Sequence, residues 1–212
     1  MDKKLKRRDF IGGITVLTVG SITLGACFRS KDPRESSVEN KIEKNREMPR
    51  DLVFKMLDQK VDRYMQISFN CAQSSYLALE EQFGLNGDEV LKALTPLAGI
   101  AERGETCGAV IGPLMIFGLI YGRDKSHLND WDLYRNSLVP SGEFCRAFEL
   151  KYGSTMCHDI QKVKFGRCFN LTDPAELREF QKADATSHCS EVVRSAVRLA
   201  AEILLDDTNE LQ

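Results

Sequence analysis

Cysteine is the residue type in this chain whose placement could do chemistry. Four of the seven cysteines, Cys71, Cys107, Cys157 and Cys189, follow within three residues a side chain able to cap a helix: Asn70, Thr106, Ser154, and Thr186 or Ser187. An oxygen at such a position accepts from an orphan backbone N–H, so the four cysteines are expected in the first turns of four helices. There the positive end of the helix dipole favours thiolate over thiol. Four such starts meeting at one point would gather four thiolates. Thiolates hold iron–sulfur clusters and tetrahedral zinc, and paired thiols of depressed pKa exchange disulfides. The Cys-x-x-Cys runs usual for zinc or ferredoxin sites are missing, which weakens the choice of metal but not the expectation of a site.

The elements that must position these residues read as helices throughout. Leu52, Val53, Met56, Leu57, Val61, Tyr64 and Met65 form a stripe at spacings of three and four. A second helix follows Asn70 and ends near Gly84, and a third carries Val90, Leu91, Leu94 and Leu97. The central stretch runs from Gly104 to Gly122, where Gly108, Ala109 and Gly112 leave room for another backbone or a bound group beside Cys107. Its apolar run is broken by Gly112, Pro113 and Gly118 and suits a core helix better than a membrane span. Trp131 to Leu150 reads as helix interrupted at Pro140-Ser141-Gly142, with Gly153 as its C-cap. Asp173-Pro174-Ala175-Glu176 has the form of a capping box. A last helix spans about 187–205, with Val192, Val193, Ala196, Leu199 and Ile203 inward. No strand alternation or hairpin chemistry occurs, so the expected fold is all-α, a compact bundle of about six to eight helices.

The chain has 212 residues, with 29 basic and 31 acidic side chains and a net charge of −2. Five of the basic and two of the acidic residues precede Cys27, leaving 24 against 29, a balance of −5 for the remainder. That acidity gives no electrostatic case for nucleic acid. No Gly-rich phosphate loop follows a strand, no Ser-His-Asp order is defensible, and no Cys-x-x-Cys-His haem attachment site is present.

The N-terminus reads as a targeting segment over residues 1–27. Arg7-Arg8-Asp9-Phe10-Ile11 matches the twin-arginine export pattern. Leu24-Gly25-Ala26-Cys27 has the small residues of a lipoprotein cleavage box, with Cys27 the lipidated residue. Export across a bacterial cytoplasmic membrane and a lipid anchor on its outer side are expected. The twin-arginine route carries folded proteins and so leans towards a preloaded cofactor. Residues 28–49 read as a polar tether, 50–207 as the domain and 208–212 as a tail.

The chain resembles the C-GCAxxG-C-C proteins, a family described as redox-active, over roughly Val53 to Leu205. The resemblance rests on Asn70-Cys71-Ala72-Gln73-Ser74, Arg103-Gly104-Glu105-Thr106-Cys107-Gly108-Ala109-Val110-Ile111-Gly112, Tyr152-Gly153-Ser154-Thr155-Met156-Cys157 and the isolated Cys189. It implies that Cys71, Cys107, Cys157 and Cys189 are the signature cysteines. It also implies redox work, with cysteine-bound iron suggested by similar domains joined to haem cytochromes. Ala101 and Glu102 stand where relatives are glycine-rich, and Pro140-Ser141-Gly142 falls in what is usually a continuous helix.

Cys145, beside Phe144 and Phe148, is expected to pack in the core, and Cys168 to lie in a loop, pairing with Cys145 or a signature cysteine if oxidised. His158 and His188 adjoin Cys157 and Cys189 as accessory donors or ligands. Successive helical residues point about 100° apart, which makes a capping or exposed role the stronger reading for each. His127 reads as a loop residue and Glu105 as a helix-start carboxylate. Three functions are therefore carried forward. The first is an electron-transfer protein with an iron–sulfur or other thiolate-ligated metal centre, the second a metal-free thiol–disulfide protein. The third is a non-catalytic lipoprotein with structural disulfides. The partners expected are the membrane, through the anchor, and redox proteins outside the cytoplasm.

Overall fold

Val53, Leu57, Val61 and Met65 recur at every fourth residue and lie buried along one face of a 19-residue helix. A strict fourfold repeat keeps side chains on one stripe, and burying that stripe holds the helix to the body. The computed structural model describes residues 33–206; Arg7, Arg8 and Cys27, with the export signal and anchor expected from them, lie outside those residues. The helices are α1 (Pro33–Arg46), α2 (Arg50–Ser68), α3 (Cys71–Phe83), α4 (Asp88–Ala93), α5 (Gly99–Glu102), α6 (Gly108–Tyr121), α7 (Trp131–Tyr152), α8 (Cys157–Phe165), α9 (Pro174–Lys182) and α10 (Ala185–Asp206). Eight of these ten have seven residues or more, as the all-α expectation requires. Among the described residues the one β-type pairing is an isolated antiparallel bridge between Thr106 and Met156.

Helices α3 and α6 form the centre, with α2 packed on α3, α7 on α6, and α10 laid across all four. The α3–α6 crossing is close because α6 offers glycine there. A Cβ on Gly112 would sit 2.0 Å from Ser75 Oγ and 2.6 Å from Tyr76 N, and one on Gly108 would sit 2.5 Å from Ala72 N and from Cys71 Sγ. The Ser75 hydroxyl bonds the carbonyls of Ala72 and Gly108 at 3.1 Å, tying the two helices where they meet. The space left by these glycines is thus filled by the α3 backbone. No described helix is long and apolar enough to cross a membrane.

Three expectations need correction. Residues 33–46, read as part of a tether, form α1. Ile42 is buried there and Asn45 bonds Gln82 O at 3.2 Å, so this stretch has an apolar and hydrogen-bonding face after all. Helix α7 runs unbroken through Pro140. Phe144 and Phe148 stack with Phe117 and Tyr152 along it, and this packing outweighs the roughly 3 kcal/mol an interior proline costs. Helix α10 starts at Ala185, just after Asp184 with its φ of 55°, which puts Cys189 in the second turn.

The glycine contacts give a paired prediction. Gly112→Ala should cost at least about 1–3 kcal/mol by overpacking. Gly118→Ala, where a Cβ meets nothing within 4 Å, should gain about 0.5–1 kcal/mol from helix propensity. Urea midpoints check both, and a Gly112→Ala midpoint equal to the parent's would contradict the close crossing.

Candidate thiol centre

Cys71 is the first residue of α3, and the Asn70 side chain caps that helix by accepting from Ala72 N and Gln73 N at 3.0 Å. Cys107 is itself the N-cap of α6, and Cys157 opens α8 after Met156. Thr106 and Ser154 are not the caps expected of them. Thr106 pairs with Met156 in the isolated bridge, and Ser154 Oγ accepts from Met156 N at 3.0 Å while donating to Asp159. The bridge is what brings two distant cysteines together. Cys107 N donates to Thr155 O at 2.8 Å and Cys157 N to Glu105 O at 2.7 Å. Residues one step from the bridge pair project to one side, so Cys107 and Cys157 are diagonal neighbours on the same face.

A second backbone feature closes over Cys157. In α5, Gly99, Ile100, Ala101 and Glu102 all have positive φ, at 55°, 46°, 55° and 61°. Such a left-handed turn costs non-glycine residues roughly 1–2 kcal/mol each. Hydrogen bonds hold it: Glu102 N to Ala98 O at 2.9 Å, and Arg103 N and Glu105 N to Gly99 O at 3.0 and 3.1 Å. Glycine would carry no such penalty at Ala101 and Glu102, so the departure there leaves the turn strained. A Cβ on Gly99 would lie 3.5 Å from the Cys157 Sγ, so the turn is packed on that sulfur. His158 fastens the next loop, since its backbone N–H and its Nδ1–H both donate to Gly104 O, at 3.0 and 2.8 Å.

The four signature thiols influence one another. Cys107, only 6 % exposed, is set beside Cys157 by the two backbone bonds of the bridge and beside Cys71 by the close α3–α6 crossing at Gly108. Hydrogen bonding to Cys157, then to Cys71, then burial hold its thiol well above the ordinary range. The proton donated by Cys107 brings Cys157 down from 9.0 to about 7, against the effect of burial and with help from Gln161 and the charge of His158. Burial pushes the Cys189 thiol up, and the charges of Cys71 and Cys157 add to that push. The expectation of four dipole-supported thiolates is therefore corrected. Crowded sulfurs share one readily lost proton, carried by Cys157, while Cys107 and Cys189 stay protonated.

Gln161 is a site residue that the sequence reading missed. It is 3 % exposed, and its Oε1 accepts from Phe169 N at 2.7 Å. That bond turns Nε2 towards Cys157 Sγ at 3.5 Å. Its place four residues after Cys157 on a helix was the available signal.

His158 lies at the site, and the other accessory residues lie elsewhere. Cys145 is half-buried on α7, where burial raises its thiol, and Cys168 is exposed in the α8–α9 connection. All six described cysteines are free thiols. His188 packs edge-on against Phe165 at 5.0 Å, and His127 closes a surface turn with Asp124. Glu105 serves the centre through its carbonyl. The donor set has the chemistry of an iron–sulfur or zinc ligand shell but not the spacing. Among the described residues no three His, Cys, Asp or Glu side chains are arranged to hold a metal ion.

A family model described as "Putative redox-active protein (C_GCAxxG_C_C)" matches residues 69–203, a span that contains all four signature cysteines. No curated protein and no solved structure matches the chain.

The reduced protein should form one thiolate with a midpoint near pH 7 in its ultraviolet absorbance, and Cys157→Ser should remove that transition. Cys107→Ala should move the midpoint towards 9.0, so that the thiolate fraction at pH 7 falls from about one half towards about one in a hundred. Because the folded value lies below the ordinary one, the thiolate contributes stability that is complete above pH 9.0 and lost as pH falls through about 7. Denaturant midpoints of the parent relative to Cys157→Ser should accordingly rise across that window.

Proposed function

We propose that this chain, which belongs to the C_GCAxxG_C_C family, is an exported, membrane-anchored thiol–disulfide redox protein working through Cys107 and Cys157. The observation that carries the reading is the backbone bridge that sets a buried Cys107 beside Cys157, whose thiol is drawn down to about 7. The Cys157 thiolate attacks one sulfur of a partner disulfide. That S–S bond breaks, and its other sulfur leaves as a thiolate and takes a proton. Cys107 gives up its proton and attacks Cys157 Sγ in the mixed disulfide, so that the partner's second sulfur departs and is protonated in turn. The partner gains two electrons and two protons, and the chain is left with a Cys107–Cys157 disulfide. A thiol with a pKa near ambient pH is the most effective attacker in such exchange. Gln161 and His158 support the charge on Cys157, and the bridge at Thr106 and Met156 keeps the two sulfurs in register.

Export and anchoring rest on the twin-arginine pattern at Arg7 and Arg8 and on the cleavage box ending at Cys27. An iron–sulfur or other thiolate-ligated centre is the second reading, favoured by four sulfur-bearing helices directed at one region. It stands behind the first because the described side chains lack the spacing for an ion.

Anaerobically purified protein separates the readings. Thiol counting by mass spectrometry should show a Cys107–Cys157 bond that a mild reductant opens. Cys107→Ser should stall at the mixed disulfide, while Cys145→Ser should react like the parent. Stoichiometric iron and sulfide with visible absorption would transfer the assignment to a metal centre, and a bond resistant to mild reductant would make it structural.

A further inference from the structure

Cys107 is nearly sealed from solvent, yet the two cysteines that the backbone bridge and the α3–α6 crossing bring beside it, Cys157 and Cys71, are not. Cys71 reaches it from the start of α3, beside the gap left by Gly108, and Cys157 reaches it from the start of α8, beside Gly99. A buried sulfur with two partly exposed neighbours can exchange only through them. The two-cysteine cycle proposed above uses one of these neighbours and leaves Cys71 without a role. We propose that Cys107 is the internal shuttle of a disulfide relay, with Cys157 the thiol that meets one partner and Cys71 the thiol that meets another.

The relay rests on the thiol–disulfide reading and extends it by one step. Once the Cys107–Cys157 disulfide has formed, the Cys71 thiolate attacks Cys107 Sγ. The Cys71–Cys107 bond forms, the Cys107–Cys157 bond breaks, and Cys157 leaves with the electron pair. Cys157 is the better leaving group of the original pair because a sulfur that ionises easily departs faster. No net oxidation occurs in this step, and the proton released by Cys71 is available to Cys157 or to solvent. A dithiol partner then attacks Cys71 Sγ with one thiolate and releases Cys107, which takes up a proton. The partner's second thiol attacks its own sulfur in the mixed disulfide, closes the partner's disulfide and frees Cys71. Summed over the cycle, two electrons and two protons pass from a dithiol met at Cys71 to a disulfide met at Cys157. The substrate class is thus a pair of thiol proteins, one reduced and one oxidised.

The test uses the full reduced chain mixed with one equivalent of glutathione disulfide, quenched in acid at intervals, alkylated and mapped by mass spectrometry. Glutathione should appear first on Cys157. The Cys107–Cys157 bond should follow, and Cys71–Cys107 should then grow as that bond declines. Cys71→Ser should stop at Cys107–Cys157, while Cys157→Ser should still yield Cys71–Cys107 through adduct formation at Cys71. In Cys107→Ser, adducts on Cys71 and Cys157 should persist with no bond between chain cysteines. Formation of Cys107–Cys157 with no Cys71–Cys107 in either the parent or Cys157→Ser would overturn the relay while leaving the thiol reading in place. A second bond to Cys189 in place of Cys71 would also overturn it. Absence of any chain disulfide would remove both the relay and the reading beneath it. The parent's time course decides the matter even if a variant fails to fold.

Discussion

Two backbone hydrogen bonds, Cys107 N to Thr155 O and Cys157 N to Glu105 O, set the relation between the sulfurs on which the centre depends. They join the starts of α6 and α8 across 50 residues of sequence without any strand on either side. Backbone geometry is stiffer than side-chain packing, because each peptide leaves only two soft dihedrals per residue. Much else nearby protects this junction. The left-handed turn of α5 packs on Cys157, His158 holds the Gly104 carbonyl, and Ser154 ties the loop before α8 to Asp159 in that helix's first turn. The backbone strain of α5 sits directly against Cys157, and strain of this kind is commonly found at functional sites.

The same crowding decides the charge state. Helix starts favour anions, and four of them together would suggest four thiolates. Burial and mutual repulsion oppose that sum, and each protonated thiol can instead donate to an ionised one. The result is an unequal pair: Cys107 keeps its proton and donates it, while Cys157 ionises near pH 7. An attacking thiol beside a protonated resolving thiol is the arrangement disulfide exchange requires. Gly108 and Gly112 make it possible at a distance, since any larger side chain on α6 would push α3, and Cys71 with it, away from Cys107.

The α2 stripe, the Asn70 cap and the Asp173–Pro174 helix start were legible because each follows from local spacing or capping chemistry. Cys71 and Cys157 were expected at helix starts and are found there. Thr106 was misread because its role is set by Met156, fifty residues away, and capping rules see only neighbours. Glu176 follows the capping-box pattern, yet its carboxylate pairs with Arg167. The continuity of α7 through Pro140 and the folding of 33–46 onto the body are likewise tertiary outcomes, in which burial overrides local propensity. The protonation of Cys107 could not be read from its own helix, because it depends on sulfurs contributed by α3 and α8.

An equilibrium redox titration in glutathione buffers, with every disulfide mapped by mass spectrometry, tests the central claim most directly. A two-electron transition in which Cys107 is always one of the bonded cysteines is the predicted result. A transition whose bonds leave Cys107 out, or no transition at all in the folded protein, would contradict the account.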